Sequence, residues 1–483
     1  MAKILIVRLG AMGDILHALP AATAIRDALP NATIGWLVEE RWSELLTAQG
    51  RKASPHGVSP QKPVVNNIHT LDTRRWRQHF FRPSATAEIA GALRRVKKIG
   101  YDFALDFHGA IKSGIFAKLG GAKVLAGFVD PRESATRFFY RKVLLRQGQH
   151  VIEQNLSLAG EALQPLLGNR ELKPLAPQLP VDPTAEAWAD SEIARLGIAS
   201  YAIVNPGAGW GAKQWPVERY GEVAKALAVH NIKTLVNASA EESELARAVV
   251  GASRGSAFEL RCTIGQLIAL TRRARILVGG DTGPLHLAAA LEIPVVGLYG
   301  PTDPGRTGPY GARVIALRHP ESETTFSHHR EAEAGLLKIS AEEVIAAARH
   351  LLGGGHAYLV ADRHAIACAS RLSFCCRIFL ARPAYMDFPG RRLYRGSSGR
   401  SGPRSCFRTH TEECRACHYR PLRLHSQPAL SRFHRHRHRF HHCSPQSLDW
   451  HWRGGHVRLH LSSGNKCGRK ISSVRISRLY PVR

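Results

Sequence analysis

A chain of 483 residues is long enough for two or three domains with sizeable cores. Its formal charge of +29 points to a nucleic-acid partner only until it is divided along the chain. Residues 356–483 hold 25 Lys and Arg against 5 Asp and Glu, so the first 355 residues carry only +9. The same cut removes all the cysteines except Cys262, and the body reads as a reduced, cytosolic protein. The start, Lys3 to Asp14, has too short an apolar run and too early an acid for a secretion signal. No stretch reaches the roughly 18 apolar residues of a membrane-spanning helix.

In chain order, Ile4-Leu-Ile-Val7 is a continuous apolar run of the kind found in a parallel strand buried on both faces. Gly10-Ala-Met-Gly13 makes a loop, and Asp14 opens a helical segment that can run to Leu29, with Pro20 expected to kink or split it. The spacing G-x-x-G-D departs from the dinucleotide fingerprint G-x-G-x-x-G. Taken alone, Asp14 is either a helix cap and dipole partner or a functional carboxylate. Thr33 to Val38 and Phe103 to Phe107 read as further strands, the second leading into His108-Gly-Ala-Ile-Lys-Ser113. Basic clusters at Arg74 to Arg77, Arg132 to Arg137 and Arg141-Lys142 all fall in the N-terminal half. They are either solvated faces or a surface for an anionic acceptor.

Pro174-Leu-Ala-Pro-Gln-Leu-Pro-Val-Asp-Pro183 reads as an interdomain linker. A second α/β set begins at Tyr201, and its glycine-rich loop, Asn205 to Pro216, brings Lys213 as a mobile cation for phosphate. Lys233 to Glu242 places Glu241 and Glu242 beyond another strand, where carboxylates either bridge ribose hydroxyls or open a helix. In Arg275 to Leu291 an apolar run ends in two glycines, turns at Asp281-Thr282-Gly283, and enters an alanine-rich helix at Pro284. The N–H groups and dipole of that helix end, with Asp281 and His286 at its rim, form a seat for a nucleotide-sugar diphosphate. An aspartic-protease reading fails because no second Asp-Thr-Gly or Asp-Ser-Gly is present. Ser340-Ala-Glu-Glu343 is a capping box for a last helix through Leu352, closed by Gly353-Gly-Gly355.

Four segments resemble one family in its own motif order. These are Ile4 to His17, Asp106 to Ser113, Lys213-Gln-Trp-Pro216 and Gly280 to His286, and they resemble the ADP-heptose:lipopolysaccharide heptosyltransferases, glycosyltransferase family 9, over roughly residues 1–352. Tyr299 to Gly305 and Arg132 to Arg141 look more like the heptosyltransferase I branch than the II branch, which stays the alternative. The resemblance implies an α/β protein of the GT-B type, with two Rossmann-like domains facing a cleft. The divisions expected are an acceptor-binding domain at 1–173, a linker at 174–185, a donor-binding domain at 186–338 and a terminal helix at 339–355.

It also implies inverting transfer of heptose from ADP-L-glycero-D-manno-heptose to a Kdo residue of the lipid A inner core. Asp14 matches the catalytic base, and Lys213, Glu241, Glu242, Asp281, Thr282, Gly283 and His286 match donor-binding positions. Lys112, Ser113, Arg74, Arg77, Arg132 and Arg137 are the acceptor-side candidates. No metal or other cofactor is expected, since Lys213 and the helix end serve the leaving diphosphate and no Asp-x-Asp motif appears in the body. The expected location is the cytoplasm, peripheral on the inner membrane.

The tail from His356 departs from this pattern. Its composition admits an RNA-binding arm, a zinc site at Cys414, Cys417 and His418, or a shifted reading frame, the last being the reading favoured. It shows no sustained strand or helix period, is expected to be disordered, and no nucleic-acid partner is expected.

Overall fold

The computed structural model describes residues 1–48, 58–78, 82–239, 242–325 and 330–354 in full, together with the backbone of 358–360, 445–453, 456–463 and 475–476. The apolar run at Ile4 lies in β1 (Lys3–Val7), and Ile4 to Val7 are fully buried because neighbours and helices cover the strand on every side. β2 (Thr33–Glu39), β3 (Asn67–Leu71), β4 (Phe103–Asp106), β5 (Val124–Phe128) and β6 (Lys142–Leu144) complete a parallel sheet of order β3-β2-β1-β4-β5-β6. The second half repeats the plan. β7 (Tyr201–Asn205), β8 (Lys233–Asn237), β9 (Ala257–Leu260), β10 (Ile276–Gly280), β11 (Val295–Tyr299), β12 (Val314–Arg318) and β13 (Tyr358–Val360) form a parallel sheet of order β9-β8-β7-β10-β11-β12-β13.

Both sheets are doubly wound, which gives the GT-B architecture. Each reverses its winding once, between β1 and β4 in the first and between β7 and β10 in the second. Crevices open at the carboxyl ends of strands at such reversals. The loops that leave those four strands begin at Arg8, Phe107, Pro206 and Asp281, and they hold most of the residues singled out from the sequence.

The two α/β domains share apolar core. Leu267 and Ile268, from the Ile264–Arg273 helix, and Leu287, from the Gly283–Ala290 helix, are buried in one cluster with Ile15, Leu16 and Leu19 of the Met12–Ala28 helix and Ile152 and Leu156 of the Val151–Leu167 helix. The linker is laid down on the first domain: Leu179 is buried, and Gln178 N–H donates to the Thr23 hydroxyl at 3.3 Å. No helix among the described residues is long and apolar enough to cross a membrane.

Several expectations change. Pro20 does not split the Met12–Ala28 helix; it sits buried within it, where the missing N–H leaves only the Leu16 carbonyl without its helical donor. After β2 the chain passes straight into a short 3₁₀ turn, Glu40–Leu45. The second sheet continues past Gly353-Gly-Gly355, since the backbone of β13 pairs parallel with β12.

Within the tail, residues 383–483 are a separate unit. It contains an antiparallel arrangement of Pro445–Arg453, His456–Ser463 and Arg475–Ile476. Leu448, Trp450 and Trp452 alternate with polar residues and stand opposite Leu461, Leu459 and Val457 in the register. The zinc candidates Cys414, Cys417 and His418 lie outside the described residues.

Candidate active site

At the end of β1, Asp14 occupies the third position of the Met12–Ala28 helix, and its Oδ2 accepts the Ala11 N–H at 3.0 Å. This is the reach-back half of a capping box, made without a hydroxyl at the cap position. Arg8 Nη2 lies 2.7 Å from the same oxygen, and Arg8 also donates to the Phe107 carbonyl beyond β4. One guanidinium therefore ties the ends of β1 and β4 to the helix start. Asp14 Oδ1 accepts no hydrogen bond among the described residues, and the side chain is 38% exposed. His108 lies close by; burial, then the charge of Arg8, pushes its pKa down to about 3, so the ring is neutral.

Across the domain boundary, Asp281 follows β10. Lys213 Nζ reaches its Oδ2 at 2.7 Å and its carbonyl at 3.3 Å, while His286 Nε2 reaches its Oδ1 at 3.0 Å. Burial raises the carboxyl pKa, but His286 and Lys213 outweigh it and hold Asp281 well below the usual carboxylate range. Lys213 also stands 4.7 Å from the centre of the Trp210 ring. Thr282 is the N-cap residue of the Gly283–Ala290 helix, yet its hydroxyl donates back to the Gly280 carbonyl, so no side chain caps that helix end. Asn205, at the end of β7, donates to the Thr282 hydroxyl at 3.3 Å and accepts from Asn237 at 2.7 Å.

Two glycines set how closely the domains meet. A Cβ on Gly283 would come within 2.6 Å of Met12 Sδ, and a Cβ on Gly13 within 2.8 Å of His286 Cδ2. The starts of two helices, one from each domain, thus interlock through the missing side chains. In the same contact His17 Nε2 lies 3.2 Å from His286 Nδ1. His150, edge-on to His17 with ring centres 5.5 Å apart, donates through Nε2 to the Gly308 carbonyl at 2.9 Å. Burial, then His286 and His150, lowers the His17 pKa well below its ordinary value.

The structure brings Asp14, Lys213, Asp281, Thr282, Gly283 and His286 to the two sheet reversals. Glu242 caps its own turn, accepting from Ser239 N–H at 3.1 Å and from the Ser239 hydroxyl at 3.0 Å, and its carboxylate fills the space that a Cβ on Gly207 would take. Glu241 lies outside the described residues. The glycines of the Lys213 loop serve more than phosphate approach: Gly211 admits the Arg330 carbonyl, and only Gly209 faces open space.

On the acceptor side Arg74, Arg77, Arg132 and Arg137 are exposed and form no ion pair among the described residues. Lys112 is tied to Glu39 at 3.4 Å and Thr73 at 3.2 Å. Ser113 leaves this set. It is fully buried, its hydroxyl donates to the Ala110 carbonyl at 2.7 Å, and it stands 3.2 Å from both oxygens of the buried Asp106, which also accepts from the His108 and Gly109 amides. Ser113 shapes the loop after β4 from behind. Arg8, His17, His150 and Asn205 were not singled out beforehand; an Arg or His inside a motif reads the same whether it faces ligand, core or a second domain.

Comparison with known proteins places this geometry. The family model for glycosyltransferase family 9 (heptosyltransferase) matches residues 90–336. Lipopolysaccharide heptosyltransferase 1 of Pseudomonas aeruginosa is 29% identical over 327 residues, which cover 65% of this chain and 83% of that protein. The protein of the same name from Escherichia coli K12 is 29% identical over 66% of this chain and 94% of its own length. Among solved structures, the E. coli heptosyltransferase WaaC with ADP is similar at a TM-score of 0.56 and 26% identity, over 71% of this chain and 97% of that one. The same enzyme with ADP-2-deoxy-2-fluoro heptose gives 0.54. A family match over more than half of the chain decides membership: this chain is a glycosyltransferase of family 9, the heptosyltransferase family.

Proposed function

We propose that the protein moves heptose from ADP-L-glycero-D-manno-heptose to a Kdo residue of the lipid A inner core, inverting the anomeric centre, while resting on the cytoplasmic face of the inner membrane. The observation that carries this reading is the placement of Asp14. Its unengaged Oδ1 stands at the β1 end of one domain, next to the glycine that touches His286 of the other. An inverting displacement needs a base for the acceptor hydroxyl proton on the face opposite the leaving group, and Oδ1 is that base. Arg8 fixes the carboxylate in place through Oδ2.

The leaving diphosphate gains charge as the glycosidic bond breaks. Lys213 and the uncapped start of the Gly283–Ala290 helix meet that charge, with Asp281 positioning the lysine and His286. Glu241 and Glu242 serve the nucleoside end, and Arg74, Arg77, Arg132, Arg137 and Lys112 serve the anionic acceptor. Mass spectrometry of the product from ADP-heptose and Kdo-lipid A tests this. One added heptose, bearing the inverted linkage by NMR, is the expected result. Transfer only onto an acceptor already carrying heptose favours the heptosyltransferase II alternative, and ADP-heptose left intact contradicts the reading.

A further inference from the structure

The Ile111–Leu119 helix reverses the usual pattern of a surface helix. Its inward face is Ser113, Gly114, Phe116 and Ala117, all buried, yet its outward face is also apolar: Ile111 and Ile115 are each 38% exposed and Leu119 is 56% exposed. These residues recur every four positions, so they form one stripe along the solvent side. The Ser134–Phe139 turn lies against the flank of the helix, since Phe139 and Thr136 close on Gly114 and Glu133 accepts the Ile111 N–H at 2.9 Å. Beside that contact Phe138 is 91% exposed. An apolar stripe with a fully projecting phenylalanine next to it is more than scattered surface hydrophobes.

The charge around the stripe is one-sided. Residues 82–145 hold 12 Lys and Arg against 5 Asp and Glu, so this segment carries most of the +9 of residues 1–355. Of those acids Asp106 is buried, Asp102 is paired with Lys123, Asp130 with Arg146 and Glu88 with Arg75. Lys112 and Lys118 flank the stripe on the helix itself, and Arg132 and Arg137 flank Phe138; all four are exposed. Apolar side chains that enter the acyl boundary, ringed by cations that meet anionic headgroups, are what an interfacial surface requires. A second copy of the chain would bring the same cations against themselves.

We infer that Ile111, Ile115, Leu119 and Phe138 are the surface by which the protein sits on an anionic lipid bilayer. This deepens the proposed function, because the helix begins at the end of β4, in the loop that Arg8 links to Asp14. A bilayer docked there brings the sugar of an embedded glycolipid to the acceptor side.

The test is hydrogen–deuterium exchange of the full chain with vesicles of phosphatidylethanolamine and phosphatidylglycerol, and with phosphatidylcholine vesicles as the neutral control. Residues 356–483 add a charge of +20 of their own, so a local readout is needed beside total binding. Anionic vesicles should protect 111–119 and 134–139, neutral ones far less. Phe138→Ser with Ile115→Ser should lose that protection and lower the vesicle partition constant about tenfold or more. The same variant should keep turnover on an acyl-free Kdo acceptor and lose it on a vesicle-borne one. Vesicle binding without protection at 111–119 overturns the inference, as does protection that appears without vesicles and grows with protein concentration, the mark of a second copy. If neither acceptor receives heptose even with the unaltered chain, the proposed reaction fails, while the exchange result still decides the docking surface.

Discussion

His17 Nε2 and His286 Nδ1 lie 3.2 Å apart, so a buried imidazole of the first domain meets one of the second. Asp281 as a carboxylate only accepts, which puts the proton of His286 on Nε2. In the neutral ring Nδ1 is then bare and takes its hydrogen bond from His17. Through this contact the first domain fixes the orientation of a side chain beside the turn that follows β10 in the second. His17→Ala should cost about 1–3 kcal/mol in denaturant unfolding, the penalty of an unsatisfied buried polar atom, and should weaken ADP binding measured by calorimetry. His17→Gln, which still offers an N–H, should recover ADP binding more than stability. Equal losses in both variants contradict a role in orienting His286.

The glycines at the helix starts allow a direct test of close packing against phosphate approach. Gly283→Ala should destabilise the protein by about 1–3 kcal/mol, because its Cβ overlaps Met12. Adding Met12→Ala should return much of that loss in thermal melting. A Gly283→Ala protein with unchanged stability and no ADP binding would instead assign the glycine to the ligand alone.

Stability should fall on mild acidification. His17, His69, His108 and His150 are buried with lowered pKa values, to about 4 for His69 and about 3 for His108, burial being the first cause in each. Below about pH 6.5 the unfolded chain protonates these rings while the folded one does not. The unfolded state then binds more protons, and stability drops by up to about 1.4 kcal/mol per pH unit for each ring. Asp281 acts in the other window: its depressed pKa contributes stability above about pH 4, lost only in stronger acid. Urea midpoints between about pH 8 and about pH 5 measure the histidine part, and a flat profile contradicts it.

The strands were legible where parallel strands are buried on both faces, since only a continuous apolar run such as Ile4 to Val7 or Ile276 to Val278 satisfies that environment. The turns after β1 and β10 were legible through their glycines and acids, but not the close approach of the two domains at those glycines. Gly13, Gly283, Gly207 and Gly211 make room for protein atoms, and a glycine looks the same in sequence whichever atom it admits. The His17–His286 contact spans 269 positions, so no local pattern carries it. Ser113 stood in a motif, and neither its burial nor its contact with Asp106 was legible there.

Lys213→Ala should weaken ADP binding and slow transfer together, because a cation on the diphosphate acts in both ground and transition states. It should also lower the melting temperature, since Asp281 then loses its buried cation and keeps only the hydrogen bond from His286. Unchanged ADP affinity and turnover would place the donor elsewhere.

The most direct measurement is single-turnover transfer from ADP-heptose to Kdo-lipid A by Asp14→Asn, with ADP affinity and melting temperature recorded alongside. Asparagine keeps the shape of the side chain and an oxygen for Ala11, but it cannot take the acceptor proton. The expected result is ADP binding close to that of the unaltered protein and transfer slowed by roughly two to four orders of magnitude. Transfer at an undiminished rate would contradict the assignment of Asp14 as the base.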